Sequence, residues 1–187
     1  GCVEGESNLS GIEFSDTVLE VGRAAATMLG AHLVTPQTMG KGETINAVYI
    51  EPEIKSSVQL FVAILIDGQR GEPVCLASMR GGSQVERDVS DDPKTLVRAN
   101  LGAGSQIAAE PGLEIASQLG LRPAVKVGFA QLIQQLHALF MACDLSLIEI
   151  NPLAIRDNDS LVALDARVTV DDNALFRQPK LAALASR

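Results

Sequence analysis

The sequence is poor in aromatic and basic side chains. Its 187 residues include no tryptophan, one tyrosine and five phenylalanines, and 15 lysines and arginines against 23 aspartates and glutamates, a formal net charge of -8. A surface that binds nucleic acid needs a basic face, often with aromatic side chains for stacking. The composition therefore argues against nucleic acid as a partner. An acidic protein can still bind a small polyphosphate if a divalent cation lies between its carboxylates and the phosphates.

Cysteines, histidines and long apolar runs are also few. Cys2, Cys75 and Cys143 are odd in number, far apart and in no CxxC pair, so the sequence suggests neither a disulfide framework nor a zinc knuckle, and a reducing, cytoplasm-like compartment fits best. No apolar run approaches the roughly 20 residues of a membrane-spanning helix, and the first residues do not resemble a signal peptide, so no membrane association is expected. His32 and His137 have no acidic or cysteine neighbours at metal-binding spacing, so both are predicted to be structural.

The apolar pattern, with 47% hydrophobic residues, predicts an α+β fold with a mainly antiparallel sheet. The "TPQTMGKGET" segment is interpreted as a loop. Ser15 or Asp16 is the predicted cap of the first helix. The predicted elements, in chain order, are a helix at 15–30, strands within 45–52, 57–79 and 92–101, helices at 113–121 and 122–144, and a strand hairpin at 145–170.

The hairpin places polar residues in otherwise apolar strands. If residues 156–160 form its turn, Asn151 lies opposite Asp165 and Glu149 lies opposite Arg167. Because side chains alternate between the two faces of a strand, these four residues are predicted to share one face, and the apolar residues between them the other.

An amide oxygen facing a carboxylate across a hairpin offers hard oxygen ligands of the kind that magnesium accepts, with water and phosphate in the remaining positions. The alternative is a surface hairpin with one solvated face, on which a Glu-Arg pair contributes only about 0.2 to 1 kcal/mol. Spacing alone favours the surface interpretation.

Two long motifs change this balance. "LIEINPL" and "ALDARVTVDDNALFRQP" resemble the end of the ATP-grasp domain in the β subunit of succinyl-CoA synthetase and of the similar malate-CoA ligases. Weaker similarity extends through "SMRGGSQVE", "YIEPEI" and "GAHLVTPQT" back to about Gly11. The resemblance implies an ATP-grasp fold, with residues 1–45 as a remnant of the smaller lobe and 46–187 as the larger lobe.

The resemblance also implies an activity, that of an acid-thiol ligase subunit. Such enzymes make an acyl-CoA from a dicarboxylic acid, CoA and ATP or GTP, through an acyl phosphate and a phosphohistidine carried by a partner α subunit. The ATP-grasp domain exchanges phosphate with the nucleotide, and CoA and the acid bind through the complete complex. The implied location is the cytoplasm, or the mitochondrial matrix in a eukaryote. The sequence does not decide whether the acid is succinate or malate, nor whether the nucleotide is ATP or GTP.

Three polar residues of the hairpin receive roles by resemblance. Asn151 and Asp165 would ligate magnesium, and Glu149 would help to receive the phosphohistidine loop of the partner. Without a cation, the phosphates of a nucleotide would be repelled by Glu149 and Asp165.

The nucleotide residues follow in the same way. Glu51 in "YIEPEI" matches the family residue that contacts the nucleoside, and Ile54 would add a backbone contact. Gln59 stands where the family usually has a second glutamate for the sugar hydroxyls. An amide can still hydrogen-bond a hydroxyl, although it carries no charge.

The sequence departs from the family pattern at both ends. The family's lysine and its "GGRGKAGG" type of loop precede the region of strong similarity, and an ungapped alignment would place Glu4 and Glu6 where the loop needs positive charge. The family's second domain would follow "FRQP". The expectation is an ATP-grasp portion with an incomplete N-terminal lobe, or a non-catalytic interaction module if the phosphate-holding lobe is lost.

Three further segments allow two interpretations each. Residues 80–83 form either a turn that ends a strand or a loop that faces phosphate. Residues 171–173 either cap a short helix next to Arg177, or Arg177 has a charge role near the phosphates or the partner. Arg167 would be structural if it clamps Glu149.

Overall fold

The computed structural model describes residues 11–34, 42–56, 58–82 and 95–185. The chain divides into two compact units, Gly1–Glu53 and Ile54–Arg187. The assignment of residues 1–45 and 46–187 to the two lobes of an ATP-grasp fold stays a prediction.

The first unit contains one helix and a two-stranded antiparallel sheet. Helix α1 spans Val18–Met28, and strands β1 (His32–Leu33) and β2 (Glu43–Thr44) pair with each other. The predicted helix is confirmed. The predicted loop at 35–44 lies mostly outside the described residues, and its last two residues form β2.

The cap of α1 differs from the predicted Ser15 or Asp16. Thr17 is the N-cap: its Oγ1 accepts a hydrogen bond from the Glu20 N–H at 3.3 Å, and the Glu20 carboxylate accepts one from the Thr17 N–H at 2.9 Å. This reciprocal capping box satisfies two amides that the helix leaves without a partner, which a single Ser or Asp one or two residues earlier does not.

The predicted strand within 45–52 is wrong. Residues 45–52 contain no helix or strand. A β-branched and aromatic run forms a strand only where another strand completes its backbone hydrogen bonds, and in the described part of the first unit β2 pairs only with β1.

The second unit is built on a six-stranded sheet in which every described pairing is antiparallel. The strand order is β5-β4-β3-β6-β7, and β8 pairs with β6 beside β7. The strands are β3 (Val58–Asp67), β4 (Glu72–Ser78), β5 (Val97–Asn100), β6 (Leu145–Ile155), β7 (Leu161–Ala163) and β8 (Ala166–Val170).

Helices α2 (Glu110–Gln118) and α3 (Pro123–Ala142) follow β5 and pack on one face of this sheet. Val62 and Ile64 of β3 share a buried core with Phe129 and Ile133 of α3. The predicted helices, the antiparallel sheet and the α+β class are therefore confirmed. Within the described residues, no helix has both the length and the hydropathy needed to span a membrane.

Side chains of the C-terminal segment form hydrogen bonds with Asp144, which lies in the turn between α3 and β6. The segment forms a 3-10 helix, Asp172–Arg177, followed by helix α4, Pro179–Ala185. The Asp144 carboxylate accepts hydrogen bonds from Arg177 Nε at 2.8 Å, Arg177 Nη2 at 2.6 Å and Gln178 Nε2 at 2.8 Å. Asp171 caps the 3-10 helix by accepting from the Asn173 N–H at 2.9 Å. The structure therefore supports the capping interpretation, and Arg177 serves as a structural clamp.

This clamp predicts a pH dependence of stability. Hydrogen bonds from Arg177 and then Gln178 lower the pKa of Asp144 from its ordinary 3.8 to about 2. Because the folded value lies below the unfolded one, the contribution of Asp144 is complete above about pH 4 and is lost as the pH falls through about 2. We expect Arg177→Gln to lower the melting temperature at pH 7, and the difference from the parent to become much smaller as the pH falls through about 2.

The matched control is Arg156→Gln in the exposed hairpin turn, because Arg156 takes part in none of the ion pairs among the described residues. It should leave the melting temperature unchanged at both pH values. Thermal melts followed by circular dichroism measure the effect. An Arg177→Gln deficit of equal size at pH 7 and pH 2 would contradict the ionic origin of the clamp.

Candidate functional site

The hairpin has the predicted register. Glu149 of β6 pairs with Arg167 of β8, and the Asn151 N–H donates to the Asp165 carbonyl oxygen at 3.1 Å. The turn closes through the Arg156 N–H, which donates to the Ser160 carbonyl oxygen at 3.0 Å. The backbone therefore places Asn151 opposite Asp165, which lies in the short break between β7 and β8.

A β-bulge lies at the centre of the site. Leu60 of β3 pairs with Leu153 of β6, but Val62 pairs with Ile150, so Asn151 and Pro152 together face one residue of β3. A bulge bends its strand and redirects a side chain. The sequence interpretation did not include this irregularity, although a proline within a strand is itself a sign of a bulge or an edge.

Residues 80–82, named here the diglycine turn, lie against this bulge. The Gly81 N–H donates to the Gln59 carbonyl oxygen at 2.8 Å, and the Gly82 N–H donates to Asn151 Oδ1 at 2.5 Å. Asn151 Nδ2 donates in return to the Gly82 carbonyl oxygen at 3.4 Å. The sequence left residues 80–83 between a strand-ending turn and a phosphate-facing loop, and Ser83 lies outside the described residues. The structure places the diglycine turn beside Asn151.

Glu149 is half-buried and is joined to Asn151. Its Oε1 accepts a hydrogen bond from Asn151 Nδ2 at 3.4 Å, and its position in the sheet lies between Ala63 and Arg167. Arg167 is exposed, and no ion pair is formed between Glu149 and Arg167, both of which lie in the described part. The structural role predicted for Arg167 depends on its clamping Glu149, and this ion pair is not observed.

Asp165 is exposed between β7 and β8. Its Oδ1 accepts a hydrogen bond from the Ala166 N–H at 2.8 Å. A carboxylate has about four lone-pair positions and an amide oxygen two, so both Asp165 and Asn151 keep acceptor capacity for a further ligand.

The donor set of Asn151 and Asp165 fits magnesium. Magnesium usually takes one or two protein oxygens and keeps water or phosphate oxygens in its other positions. Over the residues that the structure describes, no three His, Cys, Asp or Glu side chains form a metal cage. The pair is therefore suited to a cation that arrives with a phosphate ligand.

The three residues predicted to contact the nucleotide lie in different parts of the structure and differ in exposure. Gln59 is exposed on β3, and its carbonyl oxygen holds the diglycine turn. Ile54 is half-buried at the start of the second unit, whereas Glu51 is exposed in the first unit. The structure thus connects Gln59 with Asn151 and Glu149 through the turn, and the roles of Glu51 and Ile54 stay predictions.

The other reactive side chains lie away from the polar face. His137 is fully buried in α3, with its Nε2 3.2 Å from the Gly102 carbonyl oxygen. Burial raises the pKa of the Cys75 thiol to about 12, which keeps it protonated and unreactive. These positions suit structural roles.

Comparison with known proteins identifies the family of this chain. The ATP-grasp domain family matches residues 3–155. The succinate–CoA ligase [ADP-forming] subunit beta of Histophilus somni (strain 2336) is 37% identical over 177 residues, which are 95% of this chain and 46% of that protein. The protein of the same name from Koribacter versatilis (strain Ellin345) is 33% identical over 95% of this chain and 45% of its own length.

A solved structure shows the same fold. The ATP citrate lyase from Methanothrix soehngenii, in complex with citrate and coenzyme A, has a TM-score of 0.57 at 20% identity, over 87% of this chain and 35% of that one. The chain spans about half the length of the curated relatives it matches. Because the family match covers most of the described residues and the fold agrees with it, the chain belongs to the ATP-grasp family.

Proposed function

We propose that this chain is the ATP-grasp part of an ADP-forming succinate–CoA ligase β subunit. It would exchange phosphate between a magnesium-bound nucleotide and a phosphohistidine of an α subunit during acyl-CoA formation. The observation that carries the proposal is the polar face of the hairpin, where Asn151 lies beside Asp165 and is bonded to Glu149. The names of the relatives support the ADP-forming reaction and succinate as the acid.

Asn151 Oδ1 and the Asp165 carboxylate would hold the magnesium ion. When bound, magnesium supplies positive charge that neutralises and orients phosphate oxygens. The positive charge is needed at this position because the carboxylates of Glu149 and Asp165 would otherwise repel the phosphates of a nucleotide at short range. The amide of Asn151 adds an oxygen ligand without adding further negative charge.

Glu149 would receive the histidine of the partner. Its carboxylate accepts a hydrogen bond from Asn151 Nδ2 at 3.4 Å and is half-buried. Such a carboxylate can accept a hydrogen bond from the imidazole N–H and so orient the ring for transfer. Removal of Glu149 would therefore affect phosphate transfer more than nucleotide binding.

Gln59 would bond the sugar hydroxyls, and Glu51 and Ile54 would contact the nucleoside. Gln59 is exposed on the same strand end that holds the diglycine turn, close in the sheet to the proposed metal ligands. Its amide can both donate and accept, as a ribose hydroxyl requires. CoA and the dicarboxylic acid would bind through the complete complex with the α subunit.

The test is a calorimetric titration of the chain with ADP, with and without magnesium. We expect binding that depends on magnesium, because the phosphates meet two carboxylates at the proposed site. Phosphate transfer to ADP from a phosphorylated α subunit is the second measurement, with Glu149→Gln as the variant. Binding that is absent in both titrations would instead favour a non-catalytic interaction module.

A further inference from the structure

The side chain of Asn151 forms a two-way hydrogen-bonded pair with the backbone of Gly82. Its Oδ1 accepts from the Gly82 N–H at 2.5 Å, and its Nδ2 donates to the Gly82 carbonyl oxygen at 3.4 Å. The same Nδ2 donates to Glu149 Oε1 at 3.4 Å. All three contacts require one orientation of the amide. A rotated amide would face a donor with its NH₂ group and two acceptors with its oxygen.

The backbone of the diglycine turn comes this close because neither glycine carries a side chain. A Cβ on Gly81 would lie 2.6 Å from the Leu60 carbonyl oxygen and 3.0 Å from the Pro152 Cβ. Gly82 has φ +96°, a conformation that residues with a side chain rarely adopt, and a Cβ added there would have no described heavy atom within 4 Å. The absence of a side chain at Gly81 therefore lets the turn approach the bulge. The positive φ of Gly82 directs its N–H and C=O groups towards the side chain of Asn151.

We infer that the diglycine turn is the positioning element of the metal site, and this inference rests on the function proposed above. Gly82 holds the amide so that Oδ1 is the atom presented to the cation, with one lone pair used by the Gly82 N–H and the other kept for the metal. Through the same amide the turn also holds Glu149. The metal ligand and the residue that receives the partner's histidine are thus oriented by one backbone segment that is 69 residues away in the chain.

Outer partners of this kind matter for metal affinity. A group that fixes the orientation of a ligand typically changes metal affinity about 10- to 100-fold when it is removed. The expected effect of losing Gly82 is therefore on magnesium, and ADP binding that does not involve magnesium should be unchanged. A turn that only ended β4 would leave the magnesium affinity unchanged as well.

The test compares Gly82→Ala with the matched control Gly71→Ala. Gly71 also has a positive φ, +67°, with nothing within 4 Å of an added Cβ, but it lies in the exposed turn between β3 and β4. At fixed ADP, we expect the apparent magnesium dissociation constant to rise about 10- to 100-fold in Gly82→Ala. It should stay at the parent value in Gly71→Ala, although both variants lose some thermal stability to backbone strain.

The outcomes of this titration distinguish the positioning role from the proposed function. If the parent binds ADP with magnesium and Gly82→Ala has the same magnesium dependence, the positioning role is overturned and the proposed function stands. If the parent itself shows no magnesium-dependent binding, the proposed function is overturned and the positioning role with it. Should Gly82→Ala fail to fold, Asn151→Ala provides the second route: hydrogen exchange of the Gly82 amide must then be faster than in the parent, and equal rates overturn the contact.

Discussion

Magnesium-dependent ADP binding is expected to be abolished by Asp165→Ala, with the fold left intact. Asp165 is exposed, and its recorded hydrogen bond is local, to the Ala166 N–H at 2.8 Å. Exposed substitutions without a buried partner usually change stability by no more than about 0.5 kcal/mol. The same carboxylate is the only charged ligand of the proposed pair. We therefore expect the apparent affinity for magnesium in the presence of ADP to fall by at least about 100-fold.

Asp157→Ala is the matched control, because Asp157 is an exposed aspartate in the turn of the same hairpin. Both variants change the net charge equally, so a general electrostatic effect would appear in both. Asp165→Asn, which keeps an oxygen ligand and loses the charge, should bind with intermediate affinity. Calorimetry with and without magnesium measures binding, and circular dichroism melts measure stability. Unchanged binding in Asp165→Ala would remove this residue from the site.

The hairpin is the part of the site that local sequence could predict. Ile148 and Ile150 alternate with Glu149 and Asn151, and this two-residue period assigns each side chain to a face. The polar run at residues 156–160 then gives the turn, and the turn sets the register. Because both signals lie within one continuous stretch of chain, the pairing of Glu149 with Arg167 was predicted correctly.

The bulge and the diglycine turn depend on distant pairing: Pro152 is a local sign of a bulge or an edge, but the sequence pattern does not identify the partner. The one-residue shift at Asn151 and Pro152 exists only relative to β3, which is far away in the chain. The contact between Gly82 and Asn151 likewise joins two segments whose local patterns are independent. The two glycines indicate a turn in the sequence, but only the pairing of the strands in the sheet identifies Asn151 as the residue that the turn contacts.

The error at residues 45–52 has a related cause. The run contains Val48, Tyr49 and Ile50, residue types enriched in strands. Strand propensity mainly measures how well a side chain fits a half-buried pleated surface, and Tyr49 is 86% exposed here. Local composition therefore identified an apolar segment and could not establish whether a neighbouring strand would pair with it.

The largest effect on stability is expected for Phe129→Ala. Phe129 lies on α3 with no exposed surface, in the core that also contains Val62 and Ile150. Removing a buried aromatic ring loses its transfer free energy and leaves a cavity, at a cost of about 3–5 kcal/mol. Such a loss is a large share of the about 5–15 kcal/mol that stabilises a typical domain. A urea titration followed by circular dichroism should show a much lower midpoint.

Phe176→Ala provides the comparison, since it makes the same chemical change at a side chain that is 83% exposed. The Phe176 ring lies 5.8 Å from the guanidinium of Arg177, a contact worth at most about 1 kcal/mol at an exposed site. The two variants therefore distinguish the stability lost through core packing from the stability lost by removing an exposed aromatic ring. Ile150 directly precedes Asn151 in β6, so loosening this core should also weaken magnesium-dependent ADP binding under conditions where the variant is partly unfolded. Equal urea midpoints for Phe129→Ala and Phe176→Ala would contradict the packing of α3 on the sheet that supports the site.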